Sequence, residues 1–186
     1  MEATTEERYP NILVTGTPGV GKSSVCREVA ESTGMQYIEL SRAIEENKLY
    51  REWDDEMNCS IFDVDLVTDY LEDFLMTGNV IVDFHGCDFL DPLLFDAVFI
   101  LRTENGILYK RLEQRSYSAD KIQQNIECEI FQVILDEAFE TFPDDKIFEF
   151  QNDTIEQLQE NISTIKHHVE SLLAIRKQKT ALEDST

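Results

Sequence analysis

The residues best suited to chemistry lie in one octapeptide, Gly16-Thr17-Pro18-Gly19-Val20-Gly21-Lys22-Ser23. Its spacing satisfies G-x-x-x-x-G-K-[ST] at every fixed position. Glycines let successive backbone N–H groups turn inward around an anion with no Cβ in the way. Lys22 supplies a mobile point charge for the outer phosphates of a nucleotide, and Ser23 a hydroxyl suited to Mg²⁺. The apolar run Ile12-Leu13-Val14 leads into the octapeptide and a helical pattern leaves it. A helix N-terminus therefore adds its dipole to the anion site. In that context the motif reads as a nucleoside triphosphate site that uses Mg²⁺.

Such a loop needs a carboxylate at the C-terminal end of a neighbouring buried strand, to hold the Mg²⁺ shell through water. Asp83, which ends Val80-Ile81-Val82, is the best candidate. His85 follows two residues later, at the ligand-binding end of a parallel sheet. Its imidazole could orient an attacking water, accept a proton, or bond a backbone carbonyl in a structural role, and spacing leaves these open. Cys87 and His85 are too few ligands for a structural zinc site, so Cys87 is expected to be buried.

The elements that must position these residues follow from pattern. Ile12–Val14, Gln36–Glu39, Val80–Val82, Ala97–Leu101 and Ile147–Phe150 read as five short strands, the apolar runs as fully buried ones. Helices are expected over Ser23–Thr33 (ended by Gly34), from Asp63 to Gly78, over Thr103–Gln114, and as one long helix over Ala119–Phe139. A last helix, capped by Asp153 with Glu156 in capping-box spacing, carries Ile155, Leu158, Ile162, Ile165, Val169 and Leu172 as one stripe. Residues 41–58 read as irregular and polar, and the tail from about Arg176 as frayed. Strands alternating with helices imply parallel pairing and a three-layer α/β domain.

The chain has 186 residues, 16 Lys+Arg and 38 Asp+Glu, for a formal charge of −22. One core of this size needs no staples. The charge argues against tight binding to a bare phosphate backbone; it would attract basic proteins, or serve only to keep the protein soluble. The N-terminal stretch has neither a basic region nor an apolar one of the secretory type, and no apolar run approaches the ~20 residues of a membrane span. Four irregularly spaced cysteines, Cys26, Cys59, Cys87 and Cys128, fit reduced thiols in a cytosolic or nuclear protein.

Together, residues 16–23 and Asp83-Phe84-His85-Gly86-Cys87-Asp88-Phe89 resemble adenylate kinase isoenzyme 6, a family of nuclear nucleotide kinases and ATPases of small ribosomal subunit maturation. Leu108–Tyr117, Asn125–Gln132 and Trp53–Cys59 are similar to further segments of that family, so the resemblance spans roughly residues 10–172. It implies a P-loop nucleoside monophosphate kinase fold with a five-stranded parallel sheet. The whole chain, 1–186, would be one P-loop kinase domain: a core over 10–175, a monophosphate-binding insertion at about 39–62, a short lid at about 114–124 and a flexible tail at about 176–186. It also implies that Gly19, Gly21, Lys22, Ser23 and Ser24 hold ATP phosphates, that hydrolysis depends on Asp83 and His85, and that Arg115 is the lid arginine. AMP or another nucleoside monophosphate would be the acceptor. The implied partner is a basic small-subunit ribosomal protein, with pre-ribosomal RNA approached only through it. A monomer of nucleus and cytoplasm, with no membrane association, is expected.

Two departures bear on the acceptor. The family often places Arg or Lys five residues before the end of its Leu-Tyr-like segment, and Glu45 stands there. Arg42, three residues earlier on a helix, points to a neighbouring spot. The arginine of the stretch after Cys87-Asp88 is replaced by Leu93. Two charge-assisted contacts of about 1.5–3 kcal/mol each would be missing, enough to weaken acceptor binding about a hundredfold or more. The loop Gln151-Asn152-Asp153-Thr154 likewise lacks a basic residue seen in some relatives. The expected activity is therefore Mg²⁺-dependent ATP hydrolysis with weak adenylate kinase activity. The alternatives are a small-metabolite or nucleoside kinase, and a nucleotide-switched module in which Asp54, Asp55 and Glu56, or the acidic stretch Glu127–Asp145, holds a basic protein.

Overall fold

A computed structural model describes residues 9–54 and 59–183. Its elements run β1 (Ile12–Thr15), α1 (Lys22–Thr33), β2 (Gln36–Glu39), α2 (Leu40–Asn47), β3 (Tyr50–Asp54), β4 (Cys59–Phe62), α3 (Val64–Thr77), β5 (Val80–Asp83), β6 (Ala97–Arg102), α4 (Asn105–Gln114), α5 (Ala119–Ile130), α6 (Val133–Thr141), β7 (Ile147–Gln151) and α7 (Ile155–Glu183). Five strands form one parallel sheet in the order β2-β5-β1-β6-β7. The apolar runs dictate this. Leu13, Val80, Val82, Val98 and Ile100 face one core with α2, α3 and α6, while Ile12, Val14, Ile81, Phe99 and Leu101 face a second core with α1, α4, α5 and α7. Alternation along strands buried on both faces gives the three layers. Truncating a central residue such as Leu13, fully buried, to Ala would cost about 2–5 kcal/mol.

Four sequence expectations are corrected. Residues 41–58 are not wholly irregular: Leu40, Ala43 and Ile44, at i, i+3 and i+4, are buried and make α2. β3 and β4 pair antiparallel, Tyr50 with Phe62 and Trp53 with Ser60. Among the acidic residues of this segment, Asp55 and Glu56 lie outside the described residues.

Ala119–Phe139 is two helices, broken at Gln132 in the left-handed region (φ 57°). Ile122 of α5 packs into the second core and Leu135 and Ala138 of α6 into the first, so one straight helix could not serve both faces.

The last helix is capped by Thr154 and Gln157, not Asp153 and Glu156. The Gln157 amide donates to Thr154 Oγ1 (3.2 Å), and Gln157 Oε1 accepts from the Asp153 and Thr154 amides (2.7 and 3.3 Å). Nor does the last helix end at Arg176: α7 runs to Glu183, and Arg176 pairs with Asp96. Of the stripe, Ile162, Ile165 and Val169 are buried, whereas Ile155 is 75% exposed.

Candidate active site

β1 delivers the octapeptide to the C-terminal edge of the sheet, between its neighbours β5 and β6. The loop turns tightly enough to need glycine at Gly16 (φ 136°), where a Cβ would lie 2.4 Å from the Leu101 carbonyl oxygen. Gly21 (φ 106°) leaves room for Asn152, whose Nδ2 donates to the Val20 carbonyl at 2.7 Å. Lys22 opens α1, is 8% exposed, and donates through Nζ to the carbonyls of Gly16 (2.7 Å) and Thr17 (3.2 Å). Burial lowers its pKa, and the nearby Asp83 carboxylate opposes that shift.

Ser23, one residue along α1, donates to Asp83 Oδ2 at 2.7 Å, and Tyr37 of β2 donates to the same oxygen at 3.1 Å. Asp83 ends β5 and is 5% exposed. The phosphate loop and the expected carboxylate thus meet although 60 residues separate Ser23 from Asp83. A hydroxyl and a carboxylate side by side, next to an ammonium, are the donor set that Mg²⁺ takes in a nucleotide site.

His85 sits beyond Asp83 with its ring 4.3 Å from that of Phe84 between centroids. The ring reaches solvent yet is hemmed in by protein, and this desolvation, followed by the charges of Lys22 and Lys121, lowers its pKa to about 4. An imidazole so placed can orient a water or accept its proton. Cys87 is fully buried in the first core, where burial pushes its thiol up to about 12.

A cleft of about 370 Å³ adjoins the loop, lined by Gly19, Gly21, Ser24, Arg111, Arg115 and the 152–155 turn, among others. Arg115 terminates α4 at its exposed rim. Sequence reasoning missed Arg111, whose guanidinium donates to Thr103 Oγ1 (3.2 Å) and to the Asp153 carbonyl (2.9 Å), fastening α4 to the turn that floors the cleft. It missed Tyr37 and Asn152 as well. Only the i, i+4 relation of Arg111 to Arg115 hinted at a shared face. Lys121 lies over the Tyr117 ring at 4.8 Å.

The segment expected to hold the acceptor is different. Arg42 pairs with Glu46 at 2.7 Å on the surface of α2, and Glu45 is exposed. Within the acidic stretch Glu127–Asp145, Glu129 is 4% exposed, so it is no part of a docking surface.

A five-stranded parallel sheet in this strand order, with this loop at its C-terminal edge, has the fold of the P-loop kinases. The AAA domain family model matches residues 12–132. The chain is 45% identical over 160 residues to the adenylate kinase isoenzyme 6 homolog of Caenorhabditis elegans, covering 85% of this chain and 88% of that protein. It is 41% identical over 162 residues to the homolog of Dictyostelium discoideum (87% and 93%), and 39% over 167 residues to homolog FAP7 of Saccharomyces cerevisiae (89% and 83%). Among solved structures, a shikimate kinase from Bacteroides thetaiotaomicron superposes with a TM-score of 0.59 at 16% identity, covering 87% of this chain and 98% of that one. The last likeness shows the fold alone. The chain belongs to the adenylate kinase isoenzyme 6 family. No helix among the described residues is long and apolar enough to cross a membrane.

Proposed function

We propose that this chain is a Mg²⁺-dependent kinase and ATPase that takes ATP on the Gly16–Ser23 loop, with AMP or another nucleoside monophosphate as acceptor. The observation that carries this reading is the meeting of Lys22, Ser23 and Asp83 at one edge of the sheet. Lys22 and the loop amides hold the outer phosphates, with Ser24 beside them. Ser23 and Asp83 would hold Mg²⁺, which when bound neutralises charge on the phosphates. Tyr37 keeps Asp83 oriented. His85, neutral at physiological pH, orients the attacking water or acceptor, and Arg115 closes over the transferring charge from the rim. The exposed, carboxylate-paired Arg42 and the acidic Glu45 weaken the grip on an anionic acceptor, so hydrolysis competes well with transfer. The resemblance at 83–89 supports a place in small ribosomal subunit maturation in nucleus and cytoplasm, with a basic ribosomal protein as partner.

The test compares ATP turnover with and without AMP in wild type and His85→Ala. The expected result is AMP-independent hydrolysis that the substitution abolishes. Unchanged hydrolysis in His85→Ala removes that residue from the mechanism, and ADP formed in step with AMP consumed shows that the acceptor is held well without the two missing arginines.

A further inference from the structure

Thr17 occupies one of the unspecified positions of the loop motif, yet it is 1% exposed and its hydroxyl donates to Glu129 Oε2 at 2.5 Å. Glu129 lies 112 residues away in sequence, in the last turn of α5. Its other oxygen accepts from Arg102 Nε at 2.6 Å and from the Thr103 amide at 3.3 Å. Arg102 donates further to the Glu129 carbonyl (3.1 Å) and to Glu149 of β7 (3.1 Å). The carboxylate is thus fully bonded, with its charge offset by one guanidinium.

A buried anion behind a phosphate-binding loop works against phosphate by charge alone. Its contribution is therefore positional. Lys22 clips the loop together through the carbonyls of Gly16 and Thr17. An ammonium turned to phosphate oxygens would no longer clip these carbonyls together. Two side-chain tethers then keep the loop in shape: Asn152 on the Val20 carbonyl, and Glu129 on Thr17. The Arg102 pair makes the second one rigid, because it locks the carboxylate that Thr17 grips. α5 begins at Ala119, shortly after the rim residue Arg115 that ends α4, and carries the loop's anchor in its last turn.

We propose that Glu129 is a positioning residue for the phosphate loop, acting through the Thr17 hydroxyl to hold the loop amides in their phosphate-binding arrangement. The proposal rests on reading the loop as the ATP site.

The experiment is MgADP titration by calorimetry on wild type, Thr17→Val, Thr17→Ser, Glu129→Ala and the double variant Thr17→Val/Glu129→Ala, with steady-state kinetics alongside. Thr17→Val should bind MgADP about tenfold more weakly, and Thr17→Ser, which keeps the hydroxyl, should stay within about twofold of wild type. KM for ATP should rise while KM for AMP stays put, a split that general destabilisation would not produce. Glu129→Ala should also weaken MgADP, opposite to the tightening expected from merely removing a negative charge. The double variant should be no weaker than Glu129→Ala by more than about twofold, because both remove the same tether. Multiplying losses, or wild-type affinity in Thr17→Val, would overturn the inference while leaving the ATP site intact. Failure of wild type to bind MgADP would overturn the ATP-site reading and this proposal with it. Should Glu129→Ala not fold, with Arg102 left only Glu149 as a carboxylate partner, the Thr17 pair still decides.

Discussion

Lys22 and Arg42 are both cations on short helices beside the sheet, and both are hydrogen-bonded to oxygen, but their surroundings differ. Lys22 is buried and held by two neutral carbonyls that it can leave. Arg42 is exposed and held by the carboxylate of Glu46, one turn along its own helix. Arg51 of β3 is tied in the same way, to Asp63 at 2.5 Å. A carbonyl-held ammonium has its full charge to offer an incoming anion, whereas a guanidinium neutralised by a carboxylate has little. In a protein of charge −22, Lys22 thus keeps its charge on neutral partners, whereas Arg42 and Arg51 of the α2–β3 segment are each paired with a carboxylate.

That contrast can be broken most severely at its strongest point. Lys22→Ala should lower kcat/KM for ATP about a hundredfold, and an effect below about fivefold would mean that the loop amides alone hold the phosphates. Asp83→Asn comes next. It should lower turnover about tenfold or more and raise the Mg²⁺ concentration at half-maximal rate, since Ser23 and Tyr37 both lose a charged acceptor. A sharpening change is Glu45→Arg, which should lower KM for AMP about tenfold without altering KM for ATP. An unchanged KM for AMP would place the acceptor phosphate elsewhere. Arg42→Ala should leave the melting temperature within about 2 °C, because an exposed i, i+4 pair contributes little.

The smallest effect is on the second core. There His168 packs edge-on against Phe99 and Phe148 (5.6 and 4.6 Å between centroids), and burial, with a lesser effect from His167, lowers its pKa below 6.5. Below pH 6.5 the unfolded chain takes up the proton first, so this histidine makes stability fall as pH falls through that window and has no effect above it. Chemical denaturation of His168→Phe between pH 5 and 7 should show a flatter slope than wild type.

The phosphate loop, Asp83 and the five parallel strands were legible from the residues alone. Each rests on a local signal: a glycine spacing that only a tight anion-binding turn requires, or an apolar run too short for a helix and too continuous for a surface strand. The break at Gln132 and the Thr154–Gln157 cap were not legible. Ala119–Phe139 has helical pattern throughout, and only the need to fill two cores on opposite faces forces the bend. Asp153 is as good a cap as Thr154 by type, but its carboxylate is taken by the Glu104 amide at 2.7 Å.

By itself, then, the sequence determined that a nucleotide site exists and which strand edge it occupies, because backbone conformation there depends on residues adjacent in the chain. Tertiary structure alone decided how the site is held. Thr17 meets Glu129 across 112 residues, Asn152 meets Val20 across 132, and Tyr37 meets Asp83 across 46. A buried polar side chain is defined by its partner, and no periodicity records a partner that only folding brings within hydrogen-bond reach.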